Sequence, residues 1–508
     1  MVYPESVKSH LIKAILNQST ACILTQLQSA LKELNTEAYI IGGMVRNLTL
    51  KRHKADIDIA VNGNALTIGQ LLSDKLNAHY VVLDGERGIV RLLPGGGNDW
   101  QIDITTLQET LWQDIMRRDF SVNAMAINIA EMQLSKRHLV AFILDAVNGT
   151  EDLQNKTLRA LSPQVFRDDP VRLLRGVRLS SELGLSMNEQ TLSLVQRDSA
   201  LISTAAAERV RDELLQIFAL TNTYEAVDFM NRFGLLSAVM PELSPTCGLK
   251  QPPEHTWDVF QHSARSIAAM DFILRRAEWE FCSKDVLASV PCCKSTLSYF
   301  DEIVSPPASR STLTKLAALL HDIAKPQTRM LNELGKVRFH GHPQQGAPIA
   351  AAILERLRFS HRESKFIEAI VRNHLRPVQM TENEAPPTRR AIYRYRRDLD
   401  EAGIAALYFS LADHLATRGP NLERGNWDRH VNNVRRITDE YEKAPSPAKM
   451  HLLCDGNDLQ NELGLKPGRQ LGRILEELRE AQAAGEVTTR QQGLAYAGKL
   501  IAEEPPGK

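Results

Sequence analysis

Asp56 and Asp58 stand one residue apart in "RHKADIDIAVNG" (52–63), a run otherwise rich in Ile, Ala and Val. Side chains alternate across a strand, so the two carboxylates project from one face. Two like charges this close have little structural use, and such a pair is a usual means of holding a divalent metal against a triphosphate. A third carboxylate, Asp103 in "WQIDIT", lies on a later run that could pair alongside. Upstream, Gly42-Gly43 in "AYIIGGMVRN" opens a helix whose free N–H groups suit phosphates, with Arg46 one turn in. Asp169, Arg172, Arg175 and Arg178 in "RDDPVRLLRGVRLSSELGL" (167–185) follow at helical spacing and share a face. A carboxylate acceptor beside a guanidinium donor matches the Watson–Crick edge of C or A. The competing reading of both runs is a solvated strand and a solvated helix face.

A second constellation lies further along. "HTWDVFQHS" (255–263), "LAALLHDIAKPQT" (316–328) and "FSLADHLATRG" (409–419) place His262, His321, Asp322 and Asp413 on helical patterns. Imidazole and carboxylate donors suit a divalent metal with sites left for water and phosphate. His342 in "FHGHPQQG" and His374 in "VRNHLRP" fall in the same interval. "RRAIYRYRR" (389–397) holds five arginines and two tyrosines; it reads either as an RNA contact or as a solvated helix face.

The elements that carry these residues follow from periodicity. Residues 20–36 are helical in pattern and lead into a buried strand ending at Gly42-Gly43; "DIDIAV", "HYVVLD", "GIVRLL" and "WQIDIT" are short β-type runs. Residues 95–99 ("GGGND") read as a turn. From about 150 the pattern is almost wholly helical, so a small α/β domain leads and all-α domains follow, an α+β chain. Residues 282–311 lack sustained periodicity and read as an insertion with a flexible end, and "KAPSPAK" (443–449) as a break. The chain has 508 residues, 43% hydrophobic and 24% charged, with 61 basic and 61 acidic side chains. Net charge therefore argues neither for nor against nucleic acid, and any RNA surface must come from local segregation. No apolar run approaches the roughly 20 residues that span a bilayer. The N-terminus lacks a signal-peptide core, and six scattered cysteines without CxxC spacing point to reduced thiols and the cytoplasm.

"IIGGMVRN…DIDIAV", "RRDFSVNAMAINI" (117–129), "DAVNGTEDLQNKTLRAL" (145–161) and "RDDPVRLLRGVRLSSELGL", in that order, resemble the class II tRNA nucleotidyltransferases and their bacterial poly(A) polymerase relatives. The resemblance covers roughly 37–245 and resumes in the C-terminal segment from "LLCDGNDLQNELGLKPGRQLG" onward. It implies a polymerase-β-like head at 37–140 after an N-terminal helical segment (1–36), then an all-α neck and body (141–250), an HD domain (251–420) and a helical RNA-binding tail (421–508). His…HisAsp…Asp is the ligand order of HD phosphohydrolases, two-metal members of which add ligands where His342 and His374 fall. By the same resemblance Asp56 and Asp58, with Asp103, bind catalytic magnesium; Gly43 and Arg46 contact the triphosphate; Arg118 and Asp119 line the ribose pocket. Asp169 and Arg172 read the base, while Arg175 and Arg178 face the phosphates. The implied substrates are tRNA, CTP and ATP. Departures are Asn47 for an aspartate, Asn148 for a glycine, and Asp168 for a glutamate. Relatives that add CCA carry a longer segment with basic and tyrosine residues between the strand of Asp103 and Arg118; here only "TLQETLWQ" fills most of that interval, which points to addition of CC. Poly(A) polymerase, and an HD hydrolase whose head only binds RNA, are the alternatives.

Overall fold

The computed structural model describes residues 7–52, 56–95, 100–107, 109–380, 387–443 and 450–503. The stretches 96–99 and 444–449, read above as parts of a turn and a break, lie outside the described residues. The chain forms two compact units, one running to Ala205 with Phe233–Leu235, the other holding Ala206–Arg232 and the chain from Leu236.

The first unit is built on a nine-stranded sheet in the order β1-β9-β7-β2-β3-β6-β5-β4, with β8 on β9. The strands are β1 (Lys8–Ile15), β2 (Ala38–Ile41), β3 (Asp56–Val61), β4 (Ala78–Asp84), β5 (Ile89–Pro94), β6 (Gln101–Thr106), β7 (Met125–Asn128), β8 (Gln133–Ser135) and β9 (His138–Asp145). β3 and β6 run parallel, and the other pairings are antiparallel. Helices α1 (Gln18–Glu33), α2 (Gly43–Thr49), α3 (Ala65–Leu76) and α4 (Leu111–Met116) accompany the sheet.

The N-terminal segment is not purely helical, as the sequence reading had it. "KSHLIKAI" pairs in register with β9 from Lys8↔Asp145 to Ile15↔His138, and its inward positions His10, Ile12 and Ala14 alternate with exposed ones. That is a period of two in burial, but the exposed side carries Leu11 and Ile15, so hydrophobicity does not alternate along the run and the pattern is hidden beside the helical signal of α1. Asn17 then caps α1 by accepting from the Thr20 N–H at 2.7 Å. Strand β9 also carries the sheet past residue 140, to Asp145. After it comes α5 (Arg172–Leu183), whose Gly176 lies so close to Phe120 that a Cβ there would meet the ring at 2.8 Å. Asn148 takes a left-handed φ of 60°, which explains how asparagine stands where a glycine is usual.

The second unit is largely helical: α6 (Ala207–Ala219), α7 (Thr223–Arg232), α8 (Val259–Ile273), α9 (Arg310–Leu320), α10 (His342–Arg356), α11 (His361–Asn373), α12 (Arg389–Leu399), α13 (Gly403–Arg418), α14 (Arg424–Lys443), α15 (Gly456–Leu463), α16 (Arg469–Ala484) and α17 (Arg490–Glu503). All eleven residues of α9 are buried, Lys315 among them. Its ammonium donates to both oxygens of Asp271 on α8 (3.0 and 3.2 Å), to Thr223 Oγ1 at 3.0 Å and to the Leu220 carbonyl. A buried cation survives only when paired and fully hydrogen-bonded, and this one is.

Two further expectations change. Residues 282–311, read as an insertion with a flexible end, carry regular structure to that end: Lys284–Ser289 and Lys294–Asp301 are helices, and Ile303–Ser305 pairs with Ala308–Ser309. Phe300, Val304 and Ala308 are buried. Elements this short do not sustain a periodic signal. The arginine-rich run becomes α12, and its cations face the tail. Arg390 bonds Glu486 and the Tyr496 hydroxyl (3.0 and 2.6 Å), Arg394 bonds Glu480 (2.7 Å), and Arg397 bonds Glu476 and Glu480 (2.8 and 3.1 Å). Ile392, Tyr393 and Tyr395 fill the buried side.

Candidate active site and candidate metal centre

β3 puts Asp56 and Asp58 on one face while Ile57 and Ile59 on the other are buried. The parallel register sets Asp103 of β6 directly beside Asp58. Asp103 is held by Arg91, its cross-strand neighbour on β5, through two 2.8 Å bonds in a fork. Among the described residues, Asp58 lacks such a clasp. Burial, then the charges of Asp103 and Asp56, push its carboxyl up to about 6 against the pull of Arg118 and Arg175. A carboxylate so placed fits a divalent cation, which would offset its cost in one step.

The Gly42 turn (φ 71°) lies against this group, where a Cβ would come within 3.1 Å of Arg118 Nη1 and 3.3 Å of Asp58 Oδ2. Arg46, one turn into α2, is buried; its Nε and Nη2 donate to Asn47 Oδ1 (3.3 and 3.2 Å) and its Nη1 to Asn123 Oδ1. A Cβ on Gly43 would stand 3.4 Å from its Nη2. Asn123 in turn donates to Asp119 (3.1 Å), which faces Arg175 Nη1 at 3.4 Å. Arg118 bonds Asp114 at 3.1 Å, and its buried Nε has no hydrogen-bond partner among the described residues. Arg118 and Arg175 thus act on Asp58, while Arg46 connects to Arg175 through Asn123 and Asp119, with Gly43 against Arg46. Arg178 turns to Glu182 at 3.0 Å. Arg172 Nε lies 3.9 Å from Asp169 Oδ2, while its Nη2 and Nη1 donate to the carbonyls of Arg117 (2.9 Å) and Val165 (3.4 Å). Arg91 and Asn123 escaped the sequence reading because each acts through a partner distant in sequence; for Arg91 the only local signal is its place in the strand before Asp103.

The second constellation converges on one buried centre. His321, His342 and His374 each place Nδ1 2.8 Å from the carbonyl three residues earlier, those of Ala318, Phe339 and Val371. A carbonyl only accepts, so each Nδ1 carries a proton, and in the neutral ring Nε2 is the atom that offers a lone pair inward. The Nε2 atoms of His262 and His321 are 3.2 Å apart, and those of His342 and His374 3.3 Å. Asp322 stands between the pairs, Oδ2 at 3.1 Å from His321 and Oδ1 at 3.2 Å from His342. Asp413 Oδ1 is 3.0 Å from His262. Burial would raise Asp413, but the imidazoles of His262, His321 and His374 outweigh it and hold the carboxyl below its usual range. Burial and the neighbouring rings push His374 down to about 3, so it is neutral at physiological pH. Facing lone pairs beside ionised carboxylates fit cations, with Asp322 able to serve two. Lys325 Nζ, 2.5 Å from Asp322 Oδ2, completes the group; its place three residues after Asp322 was the signal that could have found it.

The family model "Poly A polymerase head domain" matches residues 38–110 and 97–159, that for "Probable RNA and SrmB-binding site of polymerase A" residues 184–247, and that for the HD domain residues 296–418. The A-adding tRNA nucleotidyltransferase of Deinococcus radiodurans is 30% identical over 92% of this chain and 96% of that protein. The CC-adding enzyme of Thermus thermophilus is 29% identical over 91% and 93%. In fold, the chain is similar to the Thermotoga maritima CCA-adding enzyme complexed with tRNA, with a TM-score of 0.55 at 18% identity over 96% of this chain and 99% of that one. Among the described residues, no helix is long and apolar enough to cross a membrane. These families are generally dependent on divalent metals. With 30% identity to such an enzyme over nearly the whole chain and with matches to the head and HD family models, the chain belongs to the tRNA nucleotidyltransferases that add nucleotides to the tRNA 3′ end, and it carries an HD domain.

Proposed function

We propose that this enzyme adds two cytidylates to the 3′ end of tRNA from CTP, in the cytoplasm, with ATP a poor substrate. The observation that carries the reading is the presence of two carboxylates on one strand face, Asp56 and Asp58, in the same compact unit as the Asp169–Arg172 pair, which we read as the base reader. Asp56 and Asp58, with Asp103 alongside, would hold magnesium, which when bound favours the ionised 3′-hydroxyl and offsets the charge of the departing pyrophosphate. Arg46 and the Gly42-Gly43 turn receive the triphosphate; Arg118 and Asp119 position the ribose; Arg175 and Arg178 add positive charge along the phosphates. Asp169 and Arg172 present an acceptor and donors to the edge of cytosine. The restriction to C is supported by the short connection from β6 to α4, Leu107 to Thr110, which leaves no room for the longer segment of CCA-adding relatives. His262, His321, Asp322 and Asp413, with His342 and His374, would hold a divalent metal, and phosphate-ester hydrolysis is the chemistry that this donor set suits.

The test is incubation of the purified protein with tRNA ending before CCA and with CTP, ATP or both, the products resolved on a gel. Two added residues with CTP, and no third with ATP, are expected. Efficient conversion to full CCA overturns the restriction to C, and a long adenylate tract would mean a poly(A) polymerase.

A further inference from the structure

Arg172 is not held by acidic groups alone: its Nη2 donates to the main-chain carbonyl of Arg117 at 2.9 Å. That carbonyl belongs to the residue that ends α4, whose N–H bonds back to the carbonyls of Gln113 and Asp114 at 3.3 Å. The position of the carbonyl is therefore the position of α4. This helix has only six residues, too few for intrinsic stability. Two features fix it. Leu111 and Ile115 are buried in the cluster of Tyr39, Ile41, Ala60, Ala124, Ala126 and Leu144. At its start Thr110 and Gln113 form a reciprocal cap, with Thr110 Oγ1 accepting from the Gln113 N–H (3.3 Å), the Thr110 N–H bonding Gln113 Oε1 (3.1 Å), and the two side chains joined at 2.7 Å.

We infer that this capped helix is the specificity device of the enzyme: it anchors Arg172 through the Arg117 carbonyl and holds the guanidinium at the setting that suits cytosine. The inference rests on the assignment of Asp169 and Arg172 as the base readers. A guanidinium is planar, and bonds on one edge fix where its remaining N–H groups point. A purine reaches further from its ribose than a pyrimidine, so a reader that serves both must be able to withdraw. Here withdrawal would break the bond to Arg117 or require α4 to move, and the cap and the buried Leu111 and Ile115 oppose that movement. Thr110 and Gln113 are thus positioning residues, acting on the base through Arg172.

The test compares kcat and KM for CTP and for ATP on tRNA ending before CCA, in full-length wild type, Thr110→Ala, Gln113→Ala and Thr110→Ser. The cap lies away from the buried cluster, so the variants are expected to fold. Loss of a cap should lower the ratio of CTP to ATP efficiency by about three- to tenfold, through a raised KM for CTP and a lowered one for ATP. Thr110→Ser, which keeps the hydroxyl, should restore the ratio. An unchanged ratio in both alanine variants overturns the inference, as does an equal loss of efficiency with both nucleotides. Failure of the underlying assignment looks different: Arg172→Ala would then keep the wild-type ratio.

Discussion

Asp58→Asn should make the metal-free enzyme more stable and inactive at once. The substitution keeps the shape of the side chain and removes a charge that burial, Asp103 and Asp56 all oppose. The folded carboxyl titrates at about 6 instead of its usual 3.8, so between these values the folded state binds more protons than the unfolded one, and stability falls as pH rises. Above the upper value the whole penalty is present. A rise of about two pKa units corresponds to about 3 kcal/mol, an upper figure because relaxation around the charge trims it. The neutral amide escapes the penalty, so in EDTA at pH 7.5 the variant should exceed wild type by about 2–3 kcal/mol, narrowing to about 1 kcal/mol at pH 4.5. The assay is urea unfolding followed by hydrogen exchange in peptides from β3 and β6. Magnesium should then stabilise wild type more than the variant, because it binds the carboxylate that the variant lacks. A variant no more stable than wild type at pH 7.5 would refute the claim that Asp58 carries an uncompensated charge.

Arg172→Ala should damage nucleotide choice more than triphosphate binding, with about 1–3 kcal/mol of discrimination between CTP and UTP lost; competition assays with both nucleotides read this directly. His321→Ala combined with Asp322→Ala should empty the buried centre of metal, measured by elemental analysis after reconstitution with nickel, manganese or magnesium, while cytidylate addition continues. Lys315→Met should cost about 3–5 kcal/mol by leaving Asp271 buried without its cation, and adding Asp271→Leu should recover most of that loss in a thermal melt.

The residues of both sites could be read in the sequence where the chemistry is local. Two aspartates in an apolar strand, a glycine pair before an arginine, and a His-Asp pair after a helical run all declare themselves over a few positions. That the strand of Asp103 pairs beside that of Asp58 was anticipated as well, though not its parallel direction. What escaped depends on long-range partners. The place of Arg91 in the strand before Asp103 is the one hint that it will clasp that carboxylate, and nothing in "RRAIYRYRR" says that glutamates some 80 to 100 residues later will take up its charges. Composition reports how many cations a stretch holds, and tertiary packing decides what they face. Strand β1 was missed because apolar Leu11 and Ile15 on its exposed side blur the alternation, and the elements within 282–311 because each is too short for its periodicity to rise above its neighbours.

The depth of α9 has a consequence for how this domain can drift over generations. The helix that ends at His321 is buried along its whole length, so the pair His321-Asp322 is attached to the part of the unit that can least tolerate change. Selection for a folded chain alone would preserve α9, Lys315 and Asp271 with or without the proposed hydrolysis. In a lineage that abandoned the reaction, the first substitutions to accumulate would be at the partly exposed Asp413 and around His342, not in the helix beneath. The state of Asp413 across descendants is therefore a better record of whether the proposed hydrolysis is under selection than survival of the helical framework, which the cost of unfolding protects by itself.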